Sequence, residues 1–393
     1  ITVATVFSSM LNARGRFFAA AAAPILLNLC LLVAVWPVRD DPQTAAFVAA
    51  AAVTVSGVLQ ALWVWLAAKR SGVKTKLQAP RLTPDVKAII ALAIPGAIAG
   101  GALQINIMTS QALASFEEGA ITFLNVADRL YQLPLGLIGI AVGVAMLPRL
   151  SRMVVNDDQE GARAAMDEAV ALAMAFTLPS AAAMMAAPVF LIDGLFARGA
   201  FTSEDAAMVG MALFHYGWGV PAFVLAKIYA PAFFARDDTK APMRYAIVSM
   251  ILNITFGAAL FFGLRAMGMP GFPGLAIATS LAAWVNVALM VRALVKRGAY
   301  APTRAAWGRL FRIALATGAL WLVMAGMALN REAMTALLFG SKEIAIAVFI
   351  FGGGSFYFLC AFLFRAVTIK EVRAAFRRER GPAGPVLPTG MDG

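Results

Sequence analysis

Apolar residues run in blocks about twenty long, separated by short polar stretches; 17–37, 45–68, 305–329 and 344–367 are apolar almost without a break. Twenty residues of helix rise about 30 Å, the thickness of a bilayer's hydrocarbon core. Inside lipid the backbone must satisfy its own hydrogen bonds, so such blocks are helices. The residues show no sustained alternation of apolar and polar positions, which argues against a membrane β-barrel. Ten full spans are predicted, at 17–37, 45–68, 86–113, 119–147, 165–191, 206–235, 243–264, 273–295, 305–329 and 344–367. Pro134 and Pro221 fall inside long blocks and predict kinks there. Ile1–Asn12 is half a span without a basic start, unlike a signal peptide. The chain is therefore expected to begin part-way through a helix, with further helices upstream. The fold class is an all-α polytopic membrane protein.

Composition agrees with the pattern. Of 393 residues, 61% are hydrophobic and 14% charged, against about 25% charged in a soluble domain. The charges also orient the chain. Twenty-six of the 33 Lys and Arg residues fall in the loops and tail on one side, among them Arg70, Arg149, Arg236, Arg297 and Arg309. Five fall on the other: Arg39, Arg198, Arg265, Arg331 and Lys342. Basic loops stay in the cytoplasm, so the C-terminus is expected there. The net charge of +12 then reflects topology and contact with anionic membrane lipids. It does not indicate nucleic acid, because no nucleic-acid-binding motif accompanies it.

The chemistry of catalysis has little foothold. Cys30 and Cys360 stand singly in apolar segments and read as core thiols. His215 is the one histidine, so a His-rich metal site is excluded, and a hydrogen-bonded packing role suits it better than a ligand's. The sequence has no HExxH, GxxxxGK[ST], GxSxG or CxxC. No cofactor is expected, and a transporter without bond chemistry fits better than an enzyme.

The sharpest feature is Asp128-Arg129 within Asn125-Val-Ala-Asp-Arg-Leu-Tyr-Gln-Leu-Pro134. Counted from Gly119, Arg129 lies about 15 Å into its helix. An arginine at that depth needs water, an anion or a carboxylate. Successive side chains point about 100° apart, so Asp128 cannot simply neutralise Arg129 on one face. Either the pair joins neighbouring helices as structural ions, or it lines a hydrated cavity. Lys227 is a second candidate cation, or else snorkels to the interface. Gln104, Asn106, Thr109 and Gln111 place four polar groups on one span, some of them bridging helices; Thr122 and Asn125 add polar groups near Arg129. Asn253, Thr255 and Thr279 offer oxygens to a cation such as Na⁺, with no acidic residue near them in sequence.

A weak repeat joins two regions. Asn12-Ala-Arg14-Gly-Arg16 leads into a span with Pro24 and Asn28. About 220 residues later Phe234-Ala-Arg236-Asp-Asp leads into one with Pro242 and Asn253. Secondary transporters are commonly built from such repeats.

Several segments together resemble the MurJ/MviN family of lipid II flippases. They are Asn12–Phe17 with Pro24–Asn28, Ala127–Gly136 running on to Leu147–Ser151, Leu195–Phe201, and Lys227–Ala235 with Asp237, Lys240 and Pro242. The resemblance implies a two-lobed transporter bundle around a central cationic cavity, with a final helix pair forming a groove for the lipid tail. On that pattern 1–85 is the remainder of the N-terminal lobe and a linker, 86–300 the C-terminal lobe, 301–367 the groove pair, and 368–393 a basic cytoplasmic tail. It implies transport of lipid II across the bacterial inner membrane, with Arg129, Asp128, Lys227, Asn125, Gln104 and Thr122 as substrate-binding candidates. Cell-wall synthesis proteins are further candidate partners. A polysaccharide-lipid or multidrug exporter of the same superfamily, or a membrane scaffold that transports nothing, are the alternatives.

Overall fold

The computed structural model describes residues 2–13, 16–72, 83–84, 86–87, 104–136, 141–236, 238–331, 335–336, 338 and 341–367. The chain forms two compact units, Ile1–Ile90 and Ala91–Gly393. Among the described residues, eight helical segments are long and apolar enough to cross a membrane, and they fall on eight of the ten predicted blocks. The other two blocks, 86–113 and 119–147, lie partly outside the described residues, as does the tail 368–393.

The first unit holds α1 (Thr2–Ala13), α2 (Phe17–Val35) and α3 (Pro42–Arg70). Asp41 starts α3 by accepting a hydrogen bond from Gln43 N at 3.1 Å, with Pro42 in the first helical position, where its missing N–H costs nothing. Small residues let the helices close: Ala4, Leu11, Ala23, Val64 and Ala68 form their shared core. Trp63 Nε1 reaches from α3 to the carbonyl of Ala19 on α2 at 3.0 Å.

The second unit contains α4 (residues 104–114), α5 (Ala120–Pro134), α6 (Ala141–Val155), α7 (Gln159–Ala186), α8 (Pro188–Phe196), α9 (Ser203–Gly217), α10 (Val220–Phe234), α11 (Lys240–Ala266), α12 (Phe272–Lys296), α13 (Arg304–Leu329) and α14 (Lys342–Leu363). Helix α7 is its pillar. Met166, Ala169, Val170 and Ala173 pack on the side of α6 and α10, while Ala171, Ala175 and Ala182 belong to the core shared with α8, α13 and α14. Alanine all round the helix permits neighbours on every side.

Two boundaries depart from the apolar pattern. The predicted span 165–191 begins at Gln159 and ends at Ala186. Asp158 accepts a bond from Gly161 N at 2.8 Å and nucleates a polar first turn that hydropathy does not mark. At the other end Ala187 leaves helical geometry, and Pro188 opens α8. The predicted span 206–235 is two helices, broken at 218–219 just before Pro221. Proline cannot donate to the preceding turn. Side chains of α12 take the carbonyls at the break: Ser280 Oγ donates to His215 O at 2.7 Å and Trp284 Nε1 to Trp218 O at 2.9 Å. A Cβ on Gly219 would come within 2.3 Å of the Ser280 oxygen, so the break needs glycine there.

Ion pairs close the α8/α14 end of the unit. Lys342 Nζ meets Asp193 at 3.0 Å, Arg198 meets Glu343 at 3.3 Å, and Ser203 Oγ donates to Asp193 at 2.6 Å. They fix the start of α14 to α8 and α9. Both cysteines are free thiols.

Candidate functional site

Helix α5 is anchored at its start. Gly119 has φ +74°, and a Cβ there would strike the Phe123 ring at 2.6 Å. Just before it, Glu117 accepts bonds from Gly271 N at 2.9 Å and Phe272 N at 3.1 Å, placing a carboxylate at the N-terminus of α12. Phe123 packs against Phe272, their rings 5.6 Å apart. The inner face of α5 is small and apolar, with Ala120 and Ala127 fully buried against α9 and its neighbours.

The opposite face is polar. Thr122, Asn125, Arg129 and Gln132 recur at three- and four-residue spacing and are all exposed. Arg129 makes no ion pair or hydrogen bond with any described residue. Ten residues beyond Gly119, it is about 15 Å along the helix. Asp128 lies on the flank of this stripe, half-buried, and accepts a hydrogen bond from the Gln132 amide one turn on. Its carboxylate is therefore turned toward Gln132. The structural ion-pair alternative for Arg129 finds no partner among the described residues.

Tyr131 fixes how this face is presented. Its ring lies 4.9 Å from Tyr216 of α9 and stacks on Phe223 of α10 at 5.2 Å. Lys227 sits one turn beyond Phe223 and is exposed, between faces that bury Val224 and Ile228. Helices α5 and α9 run parallel, with Ala120 and Ala206 in one core cluster and Tyr131 meeting Tyr216 further along. Arg129 precedes the aromatic stack by two residues and Lys227 follows it by four.

The remaining candidates divide. Gln104 and Gln111 are exposed on α4, and Thr109 donates to its own helix at Ile105 O, 2.8 Å. Asn106 bridges helices: it accepts from Asn253 Nδ2 at 3.1 Å, and Thr279 Oγ1 donates to Asn253 Oδ1 at 3.3 Å. Asn253 and Thr279 thus do meet, with their oxygens partnered within a neutral relay; Thr255 instead donates to Ile251 O at 2.8 Å. No group of three or more His, Cys, Asp or Glu side chains suited to a metal occurs among the described residues. His215 sets its ring edge-on to Phe214 at 5.2 Å. Sequence reasoning overlooked Gln132 and Tyr131. The spacing of Gln132, four from Asp128 and three from Arg129, could have found the first; the second needed its partners on α9 and α10.

Helix α5 offers a cation, amides and a hydroxyl on a face that the described residues of this unit leave uncovered, and α10 adds a second exposed cation, Lys227. This arrangement suits binding of a large anionic polar group.

Comparison with known proteins gives a consistent answer. The family model "Lipid II flippase MurJ" matches residues 1–349. A "Probable lipid II flippase MurJ" of Rhizobium tropici is 36% identical over 389 residues, covering 97% of this chain and 71% of that protein. Its namesake from Vibrio cholerae is 32% identical over 383 residues, covering 95% and 70%. A solved structure, "Lipid II flippase MurJ, inward closed conformation", superposes with a TM-score of 0.72 at 21% identity, covering 93% of this chain and 71% of that one. That structural match speaks to the fold.

Proposed function

The chain belongs to the lipid II flippase MurJ family, and from that premise we propose that it carries lipid II from the inner to the outer leaflet of the bacterial inner membrane. It is a multi-pass membrane protein. The substrate couples a diphosphate and a peptide-bearing sugar headgroup to a long apolar tail, and the obstacle to its crossing is desolvation of that headgroup. In this reading Arg129 and Lys227 take the diphosphate and peptide carboxylates inside a hydrated cavity. Asn125, Thr122, Gln104 and the Asp128–Gln132 pair offer hydrogen bonds to sugar and peptide groups. Alternating exposure of the site to the two sides then moves the headgroup with no bond made or broken. The 26-to-5 division of basic residues supports a cytoplasmic C-terminus. The pair α13–α14, with Trp307, Phe311, Leu322 and Phe351 exposed, would follow the lipid tail. Cell-wall synthesis proteins would receive the product.

The observation that carries the site assignment is the polar stripe of α5, with an arginine at membrane depth and no protein partner among the described residues. Complementation tests it. A host depleted of its own flippase receives this protein or Arg129→Ala at matched membrane abundance. The parent restores growth, and the variant loses rescue, as expected where a charge-assisted contact to a desolvated anion is removed. Rescue by both would return Arg129 to a structural role. Rescue by neither would favour the polysaccharide-lipid exporter.

A further inference from the structure

A second polar feature lies away from the α5 stripe. Helices α7 and α13 run parallel and pack tightly where Ala171 and Ala175 meet Ile313 and Ala316. Their N-terminal turns, tied together where Thr303 meets Asp167, line a cleft of about 770 Å³. Arg163 and Asp167 of α7 and Arg309 and Arg312 of α13 line it. Arg312 immediately precedes buried Ile313 and so sits near the floor. Arg163, one turn before Asp167 on α7, lies nearer the mouth.

Of the three carboxylates that line the cleft, Glu168 is ion-paired and Asp167 is turned toward neutral donors. Asp167 accepts from Tyr300 Oη at 2.7 Å, Thr303 Oγ1 at 2.7 Å and Thr303 N at 3.3 Å. Glu168 pairs with Arg149 at 3.0 Å. Glu160 stands in the first turn of α7, where the helix dipole favours a negative charge. The arginines are held by backbone: Arg312 Nη1 donates to Arg365 O at 3.1 Å and its Nε to Gly308 O at 3.2 Å, while Arg309 Nε donates to Ala366 O at 3.0 Å. For Arg312 these carbonyls orient the guanidinium without cancelling its charge. Arg163 is exposed and has no ion-pair partner among the described residues. Two helix N-termini converge on the same spot and add positive potential. Trp307, 62% exposed one turn into α13, marks this level as the bilayer interface.

We propose that the α7–α13 cleft is a binding site for the phosphate headgroup of an anionic phospholipid, held by Arg163 and Arg312, which braces α7 against the α13–α14 pair. The site is separate from the transport stripe on α5 and does not depend on the substrate assignment. Basic pockets between membrane helices at the interface have the chemistry for such headgroups.

Native mass spectrometry of the delipidated full chain, titrated with phosphatidylglycerol, tests the site. Phosphatidylglycerol should bind saturably and phosphatidylcholine about tenfold more weakly, the scale of one charge-assisted contact. Arg163→Gln/Arg312→Gln should weaken phosphatidylglycerol by at least about tenfold, and Arg39→Gln in the other unit should leave it unchanged. Arg163→Gln alone, which breaks no described contact and so spares the fold, should lose about threefold. Parental affinity in both variants, or equal binding of phosphatidylcholine, overturns the proposal. Displacement by millimolar inorganic phosphate also overturns it, assigning the cleft to a soluble anion.

Discussion

Helices α1–α3 and α10–α12 solve the same problem in two ways. Each region is a short helix, a turn, a long helix, a second turn and a long returning helix. Each is closed by a side-chain bond from the first turn to the residue that caps the third helix. In α1–α3, Arg16 donates to Ser71 Oγ at 3.2 Å. In α10–α12, the cap residue Arg297 donates to Asp238 at 2.6 Å, so donor and acceptor have changed places. A left-handed glycine follows each cap, Gly72 at φ 73° and Gly298 at φ 65°. The clasp position persists while its chemistry inverts and strengthens. The second region adds Arg236, which bonds the carbonyls of Ala232 at 2.8 Å and Ala299 at 3.2 Å, and it places Arg297 over the Phe233 ring at 5.5 Å.

Packing separates the two regions further. Phe18, Val33 and Phe47 are more than 70% exposed within the first unit, whereas Phe261 and Leu294 of the second region are buried by α9, α6 and α7. Glycines register the difference most sharply. A Cβ on Gly274 of α12 would come within 2.9 Å of the Leu260 backbone on α11, while one on Gly57 of α3 would meet nothing within 4 Å. Gly274→Ala should therefore cost about 1–3 kcal/mol as the two helices are forced apart. Gly57→Ala should instead stabilise by up to about 1 kcal/mol through helix propensity. Thermal unfolding of both variants in one detergent checks the opposite signs. Equal effects would mean that α2–α3 is packed as closely as α11–α12.

The clasps rank next. Asp238→Asn keeps the backbone-capping geometry but removes the charge that Arg297 meets, and should cost about 1 kcal/mol. Arg16→Gln loses one bond to a neutral hydroxyl at an exposed site and should cost less than about 0.5 kcal/mol. The same melting measurement compares them. A larger loss in Arg16→Gln would show that the first region depends on its clasp because it lacks other packing.

Much of this architecture was readable as pattern. A helix that crosses lipid needs a long apolar run, so eight blocks correspond to candidate membrane spans, one of them, 206–235, broken into two helices. The polar face of α5 was readable in part, because Thr122, Asn125 and Arg129 already share helical spacing in the sequence. The start of α7 was not, because Asp158 and a polar first turn determine it. Nor was the break before Pro221 as a full interruption, since its freed carbonyls depend on Ser280 and Trp284 some sixty residues away. The same holds for Tyr131, whose role is set by rings on two other helices, and for the cleft, whose arginines lie on helices distant in sequence. Periodicity encodes which face a residue occupies; it does not encode what meets that face.

Acid should distinguish the clasps last and least. The Asp238 carboxyl lies below its ordinary value of 3.8, held there by the Ala241 backbone N–H and the Arg297 guanidinium against a small opposing effect of burial. A depressed carboxylate contributes stability that is present above its unfolded pKa and is lost as pH falls through the folded one. The Asp238 contribution is therefore intact at neutral pH and disappears below about pH 4. The Arg16–Ser71 clasp contains no carboxylate. Melting the parent and Asp238→Asn from pH 7 to pH 3 should show their midpoints converging at the acid end, with Arg16→Gln running parallel to the parent throughout. Convergence of Arg16→Gln instead would mean that an acidic group contributes to the first clasp.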